Sequence, residues 1–255
     1  MSLADQIDGY RQRGFTQEQA EILAIMRAAA GVLFRDFPDS FLLFGGATLV
    51  LFHESPRHSA DLDLLEAGEP PSLEVVRDSL ANGLSLIAEA LNQSPLEIEI
   101  GQKLFVQNRS GRVLFTVDIN QFGPVIASEI EEHAVSIDDD SIAHVKAPTR
   151  EFLLLQKSEC FLLRRYVKAR DAFDIYQLRS SGVALSQNLR SQLEDTLMSN
   201  EIEAEGIIER VKLIDEKRCT SELESFLPPE LFNALARGGF QPLRDVLLDL
   251  YQDWL

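Results

Sequence analysis

The spacing of hydrophobic residues predicts alternating helices and short strands over the first part of the chain. Apolar residues recur at helical intervals over residues 17–36, and Thr16 with Gln19 has the spacing of a capping box that would start this helix. A short apolar run at 41–44 ends in a glycine pair. After a helix-compatible segment, the alternating DLDLL at 61–65 has the period of a strand. This order predicts strand, glycine turn, helix and strand.

Farther along, the pattern predicts another helix, a hairpin and then a change of architecture. Ser72 can cap an amphipathic helix that runs to about Asn92. The segments LEIEIGQKLFVQ and VLFTVDIN flank the turn sequence NRSGR, which favours an antiparallel hairpin. From Pro148 onward the alternation gives way to leucine-rich helical periodicity. We therefore expect an α/β (α+β) protein with a mixed-sheet core over residues 1–147 and a C-terminal helical bundle over residues 148–255.

Composition fits a globular protein of enzyme size and narrows the classes to which it can belong. The chain has 255 residues, of which 45% are hydrophobic, enough for one large core or two unequal ones. Its formal net charge of -17 counts against a broad, non-specific nucleic-acid binder. Because there are only two cysteines, no apolar signal segment and no apolar run of membrane-spanning length, we expect a cytoplasmic protein without membrane contact.

The densest chemical pattern joins a glycine pair to two alternating carboxylates. Gly45 and Gly46 allow close approach of the backbone to a ligand, and the helix after them would point its positive end at the same place, as in a phosphate cradle. In the strand at 61–65, Asp61 and Asp63 face one side, and Leu62 and Leu64 face the other. A hard divalent cation such as Mg²⁺ would relieve the repulsion between these carboxylates. The alternative is a solvated edge strand.

Metal-dependent phosphoryl or nucleotidyl transfer commonly uses a third carboxylate. Asp118, in VLFTVDIN, is our first candidate because its short side chain makes a rigid ligand and its strand is strongly apolar. Glu97 and Glu99, in LEIEI, alternate in the same way and compete with it. All three also fit carboxylates on the solvated face of a sheet, so the choice stays open at the level of sequence.

A basic segment follows within this acidic chain. Residues 146–170 contain seven Lys or Arg and two Glu, a local balance of +5. On a continuous helix, Lys157, Arg164 and Lys168 fall within about 20° of one line, which predicts a basic stripe able to bind a triphosphate or an RNA backbone. The alternative is a solvated helix face with ordinary ion pairs.

The histidines do not predict a second type of metal centre. None of the four shows the spacing of a zinc motif such as H-x-x-x-H, so no zinc site is expected from the sequence. One of them, His58, lies beside Ser59 and could meet a substrate there.

These motifs together resemble the AbiEii/AbiGii toxin family of nucleotidyltransferases, within the DNA polymerase β-like nucleotidyltransferase superfamily. Phe44-Gly45-Gly46 is similar to the first family motif, and Ser59-Ala60-Asp61-Leu62-Asp63 to the second, the Ser-x-Asp-x-Asp metal motif. Lys157 with Arg164, and Arg170-Asp171-Ala172-Phe173-Asp174, are similar to the later Lys and Arg-Asp-x-x-Asp motifs. One departure is Ala47, where relatives often have a hydroxyl residue.

The resemblance implies that the two aspartates of the second motif bind metal, that Ser59 and Lys157 act at the nucleotide and that Asp174 belongs to the active site. Together with the residues argued above, the predicted catalytic residues are Asp61, Asp63, Asp118, Lys157 and Asp174. The predicted metal ligands are Asp61, Asp63 and Asp118. The predicted nucleotide-binding residues are Gly45, Gly46, Thr48, Ser59, Lys157, Arg164 and Arg170.

The predicted activity is transfer of a nucleoside monophosphate from an NTP to an acceptor hydroxyl, with Mg²⁺ or Mn²⁺ as cofactor. The resemblance implies a toxin of a toxin-antitoxin or phage-defence system, with an antitoxin protein as possible partner and RNA, such as a tRNA 3′ end, as acceptor. Two alternatives stay open. The nucleotide could be transferred to a protein side chain, or the protein could be a non-catalytic nucleotide-binding interaction module.

Overall fold

The computed structural model divides the chain into two compact units, Met1–Pro148 and Thr149–Leu255, and we describe each by itself. The residues that it describes are 2–90, 95–121, 127–137 and 141–254. Asn92, at the predicted end of the helix that follows Ser72, lies outside the described residues.

The first unit combines helices with a mixed five-stranded sheet and a separate antiparallel two-stranded ribbon. Its helices and strands, in chain order, are α1 (Leu3–Gln12), α2 (Gln17–Asp36), β1 (Phe41–Phe44), α3 (Gly45–Phe52), β2 (Asp61–Glu66), α4 (Leu73–Ala90), β3 (Glu97–Ile100), β4 (Leu104–Gln107), β5 (Val113–Asn120), β6 (Ile130–Ser136) and β7 (Ile142–Pro148), with a short 3-10 helix at Ala127–Glu129. Strands β1 to β5 form a mixed sheet in the order β1-β2-β5-β4-β3, and β6 pairs with β7 in a separate ribbon. The predicted mixed-sheet fold class is confirmed.

The sheet contains the predicted antiparallel hairpin, but one segment differs from the prediction. β2 runs parallel to β5, whereas the other neighbouring pairs are antiparallel. The expected hairpin joins β4 to β5, with Gly111 at a positive φ of 78° in its turn. LEIEIGQKLFVQ is not one strand, however, because a turn at Gly101 folds it into the antiparallel pair β3 and β4.

The core of the first unit lies between the inner face of the sheet and the helices. The capping box at the start of α2 is present: the Thr16 hydroxyl accepts from the Gln19 amide at 3.2 Å, and the Gln19 side chain accepts from the Thr16 amide at 3.1 Å. Because one row of each strand is apolar, Leu62 and Leu64 of β2 and Val117 of β5 are fully buried. The opposite row is thereby left for polar side chains.

The second unit is helical throughout its described residues. Its helices are α5 (Arg150–Leu163), α6 (Ala169–Ser180), α7 (Gln187–Ser199), α8 (Ala204–Lys212), α9 (Glu216–Leu223), α10 (Pro229–Arg237) and α11 (Gln241–Leu250), followed by a short 3-10 helix at Gln252–Trp254. Fully buried aromatic residues fill its core, and the Tyr251 hydroxyl donates to the Ser158 carbonyl at 3.1 Å. None of the described helices in either unit has the length and apolarity needed to cross a membrane.

The predicted basic stripe is wrong, because the chain leaves the helix between its members. α5 ends at Leu163, so Arg164 caps it and Lys168 precedes α6. Tertiary contacts to α9 hold the break: Arg218 donates to the Val167 carbonyl at 2.6 Å, and the amide of the first residue of α6 donates to the Glu222 carboxylate at 2.8 Å. The basic residues therefore do not share one helix face.

Candidate active site

Three carboxylates meet on the polar face of the sheet because of the parallel register between β2 and β5. Asp63 lies directly opposite Asp118, and Asp61 lies opposite Thr116. Since neighbouring strands are about 4.8 Å apart and alternate residues share a face, all three carboxylates project from the same side at adjacent positions. Each of the three aspartates is half-buried, as expected for groups at the wall of an open site.

The register also separates Asp118 from its competitors. Glu97 and Glu99 belong to β3, and Glu99 pairs with Phe105 of β4. This places them two strands from β5, roughly 10 Å away at ordinary strand spacing. The Glu99 carboxylate accepts from the Gln107 side chain at 3.3 Å. Of the three candidates, only Asp118 lies on a strand next to β2, so the geometry favours it as the third carboxylate.

The glycine pair lets the start of α3 come against the aspartates. Gly45 has φ +75°, and a Cβ there would lie 2.4 Å from Asp63 Oδ2. A Cβ at Gly46 would lie 2.7 Å from a guanidinium nitrogen of Arg57. Gly45 therefore favours the absence of a side chain for its backbone conformation as well as its contact, and a side chain at Gly46 would displace the Arg57 guanidinium. The positive end of the helix dipole consequently begins beside Asp63.

Two polar neighbours of Asp61 were not identified from the sequence. Lys103 Nζ lies 3.2 Å from Asp61 Oδ1, and the Thr116 hydroxyl donates to the same oxygen at 2.6 Å. Thr116 has the same strand parity as Asp118, a signal that was available in VLFTVDIN. Lys103 follows the unpredicted turn between β3 and β4, so its contact depends on a part of the fold that periodicity did not reveal.

The residues before the aspartates are more buried than the sequence suggested. Ser59 is buried, and its hydroxyl donates to the Asp61 carbonyl at 3.4 Å. His58 is also buried; desolvation, with a smaller contribution from Arg57, lowers the pKa of His58 to about 4. Its imidazole is therefore neutral near pH 7. Thr48 is fully buried, which argues against the predicted contact of its hydroxyl with a nucleotide.

The second unit contains a compact ionic cluster on α5 and α6. Lys157 Nζ lies 2.8 Å from Asp174 Oδ2 and 3.4 Å from Asp171 Oδ1, and Arg164 Nε lies 3.4 Å from Asp171 Oδ2. The side chains of Asp174 and Asp171 are 0% and 4% exposed, so these charges are removed from water. The guanidinium of Arg170 lies 5.5 Å from the centre of the Phe226 ring. Lys157, Asp171 and Asp174 thus form buried ion pairs between α5 and α6.

A mixed sheet with an aspartate cluster beside a glycine turn is typical of nucleotidyltransferases, and solved structures of that class share the fold. A Helicobacter pylori protein assigned as a nucleotidyltransferase has a TM-score of 0.54 at 16% identity, over 94% of this chain and 97% of that one. MenT4, a nucleotidyltransferase toxin from Mycobacterium tuberculosis H37Rv, has a TM-score of 0.54 at 14% identity, over 99% of this chain and 91% of that one.

The chain belongs to the AbiEii family. The family model described as "Nucleotidyl transferase AbiEii toxin, Type IV TA system" matches residues 30–253. This confirms the resemblance stated from the motifs and makes the protein a nucleotidyltransferase of a toxin family. The comparison with curated proteins finds no significant match.

Proposed function

We propose that this protein is a metal-dependent nucleotidyltransferase toxin that transfers a nucleoside monophosphate from an NTP to a hydroxyl of RNA, such as a tRNA 3′ end. One observation carries the proposal: Asp61, Asp63 and Asp118 project together from two parallel strands, beside the start of α3. Family membership supplies the reaction class. The metal, the nucleotide and the acceptor are our inference.

The donor set fits a hard divalent cation. Carboxylate oxygens are the ligands that Mg²⁺ and Mn²⁺ prefer, and Asp61, Asp63 and Asp118 would hold the ion. The ammonium of Lys103 lies 3.2 Å from Asp61 Oδ1, so an ion bound by this carboxylate would compete with it. When bound, such an ion supplies Lewis-acid stabilisation of phosphate charge.

The chain's own residues then have distinct roles in the proposed reaction. Asp118 accepts the proton of the acceptor hydroxyl, whose oxygen forms a bond to the α-phosphorus. The bond between that phosphorus and the oxygen bridging to the β-phosphate breaks, and pyrophosphate leaves. Gly45 and Gly46 leave the space in which backbone amides at the start of α3 can approach phosphate oxygens.

Lys157 is proposed as a ligand of the triphosphate, on the basis of the family motif. Within the second unit, the proposal is supported by the position of this lysine, because the carboxylates of Asp171 and Asp174 hold its ammonium between them. A lysine held by two buried charges is fixed before any ligand arrives, which reduces the entropy lost on binding. Asp174 would then act as a positioning residue for that ammonium.

An RNA acceptor is supported by the basic composition of residues 146–170, even though they do not form one stripe. Arg164 and Arg165 are both exposed and adjacent in the segment between α5 and α6. Exposed arginines can bind phosphates at a few points within a chain of net charge -17. Toxin family membership also supports an antitoxin partner. We propose a cytoplasmic location, as expected from the sequence.

The test is incubation of the purified protein with each α-labelled NTP, Mg²⁺ and either total tRNA or a cell lysate. The expected result is label on RNA with a preferred NTP, lost in Asp63→Asn and kept in Asp78→Asn, which changes an exposed aspartate paired with Arg77. Label on protein instead of RNA would replace the RNA acceptor with a protein side chain. Transfer to neither acceptor would contradict the proposal and favour a non-catalytic binding module.

A further inference from the structure

A second group of metal-ligating side chains lies in the first unit, at the opposite end of α3 from the glycine turn. His53 immediately follows α3, and Glu131 and His133 project from the same face of β6 because they are two residues apart. The Nε2 atoms of His53 and His133 lie 3.5 Å and 3.2 Å from the same carboxylate oxygen, Glu131 Oε1. The three ligand atoms all lie within 4.8 Å of one another.

The two separations from Glu131 Oε1 match the dimensions of a tetrahedral zinc site, and the third is at most 4.8 Å. Zinc binds histidine nitrogen and carboxylate oxygen at about 2.0–2.2 Å, and the edge of a tetrahedron with such bonds is about 3.4 Å. The two distances from Glu131 Oε1 lie on either side of that value. A zinc ion could therefore bind all three atoms with small side-chain movements.

The ligand types select the metal. Two imidazoles and one carboxylate suit Zn²⁺ and related transition metals, whereas Mg²⁺ prefers an all-oxygen set. Three protein ligands leave a fourth tetrahedral position for water. The aspartates of the sheet have oxygen donors only, so with Mg²⁺ in excess the two groups favour different ions.

A stacked ring holds one of the ligands, and the same ligand lines a cleft that is open to solvent. The His133 ring stacks on Phe52 with centroids 4.4 Å apart and planes 11° from parallel, which fixes the imidazole. His133 and Glu132 line a cleft of about 650 Å³ that is open to solvent. The cleft carries charges of both signs, with Arg13 and Arg27 on one hand and Asp5, Glu54 and Glu132 on the other. The His53 side chain, 3% exposed, forms the closed side of the group.

We propose that His53, Glu131 and His133 form a zinc site that joins the end of α3 to β6. The two histidines are 80 positions apart, which explains why no spacing motif predicted a zinc site. α3 has eight residues, about 12 Å at 1.5 Å per residue, and its first residue lies against Asp63. Zinc bound at one end of this helix would therefore help to fix the glycine turn at the other end.

The experiment is zinc titration of the full chain after chelator treatment, by calorimetry and in excess Mg²⁺, followed by Co²⁺ titration with visible absorption spectra. The expected result is one Zn²⁺ per chain and a Co²⁺ spectrum of tetrahedral intensity. Glu131→Gln and His133→Gln should each weaken zinc binding by more than about 100-fold, beyond the range of outer-sphere effects. His144→Gln is the matched control, because His144 is an exposed histidine on β7 that lies 3.9 Å from Glu132.

Melting curves of the metal-free variants show whether each retains the wild-type fold, and Asp63→Asn separates the two candidate metal sites. Asp63→Asn should leave zinc binding unchanged while removing transfer activity, so failure of one proposal can be distinguished from failure of the other. The zinc proposal is overturned by absence of zinc binding at micromolar protein. It is equally overturned if folded Glu131→Gln and His133→Gln bind zinc like the wild type, or if Asp63→Asn abolishes zinc binding.

Discussion

Substitution of Gly45 by alanine should lower activity through the geometry of the aspartate site, in addition to its effect on the stability of the fold. The residue has φ +75°, so a side chain there costs about 1–2 kcal/mol of conformational strain. The added Cβ would also lie 2.4 Å from Asp63 Oδ2, whereas ordinary contacts begin at 3.4 Å. The carboxylate must therefore move by roughly 1 Å, and a displacement of that size can lower a rate about 100-fold.

Gly111 provides the matched control. It has φ +78°, nearly the same backbone conformation, but a Cβ there would meet no atom within 4 Å. Gly111→Ala should therefore show the strain alone, with a loss of about 1–2 kcal/mol and unchanged activity. Gly45→Ala should lose at least as much stability and, in addition, nearly all transfer of labelled nucleotide.

The assays are urea unfolding for stability and initial rates of nucleotide transfer at saturating NTP for activity. The contrast between the two variants is the informative quantity, because each carries a similar backbone penalty. Equal activity of Gly45→Ala and Gly111→Ala would refute the argument that the glycine turn sets the position of Asp63. Loss of activity in both would show that backbone strain anywhere in the sheet is sufficient.

Three further outcomes are expected. Lys157→Met leaves a fully buried aspartate without its 2.8 Å partner, so thermal unfolding should show a loss of about 3–5 kcal/mol of stability. The same change at Lys212, which belongs to an exposed ion pair, should cost under about 1 kcal/mol. Equal losses would contradict the buried-pair argument. Burial lowers the pKa of His58 to about 4 in the fold, against about 6.5 when unfolded, so its contribution to stability is present above pH 6.5 and lost as the pH falls through 4. Between pH 7 and pH 4, the free energy of unfolding measured in urea should fall by up to roughly 3 kcal/mol less in His58→Gln than in the wild type. An equal fall in both proteins would exclude this histidine as the cause. Lys103→Met should strengthen Mn²⁺ binding in the absence of nucleotide by about 30-fold, the effect of removing a unit charge roughly 4 Å from a divalent ion in water, while Lys146→Met should not. Unchanged affinity in calorimetry would show that the ammonium does not compete with the ion.

The spacing of hydrophobic residues predicted much of the first unit because most of its helices and strands have a clear helical or alternating pattern. Asp61-Leu62-Asp63-Leu64 alternates, so the placement of Asp61 and Asp63 on one face follows from the sequence alone. The opposition of Asp63 and Asp118 does not, because it depends on a parallel register between strands 55 residues apart. The alternating pattern of each strand does not specify which residue of the other strand lies opposite a given position.

The second unit shows the converse limit, where a continuous local pattern is interrupted by tertiary contacts. The segment RRYVK between α5 and α6 contains neither glycine nor proline, so its periodicity favours one unbroken helix. The structure instead buries Val167 and binds its carbonyl to Arg218, a residue 51 positions later. Such a contact outweighs a propensity difference of a few tenths of a kcal/mol per residue. The same break brings Arg164 to Asp171.

The helix α3 has a structural role that its short sequence does not indicate. Its first residue must lie against Asp63 without a side chain, and so any shift along its axis would change the aspartate site. At the other end, Arg13 donates to the carbonyls of Val50 and Ser55 at 2.9 Å and 2.6 Å, and Arg27 donates to a neighbouring carbonyl of the last turn. These guanidiniums satisfy carbonyls that a helix end leaves unpaired, and positive charge is favourable at this end of the helix dipole. Because α3 is buried and held from its last turn, contacts about 12 Å from the carboxylates help to position the glycine turn, together with the pairing of Phe44 with Asp63 in the sheet.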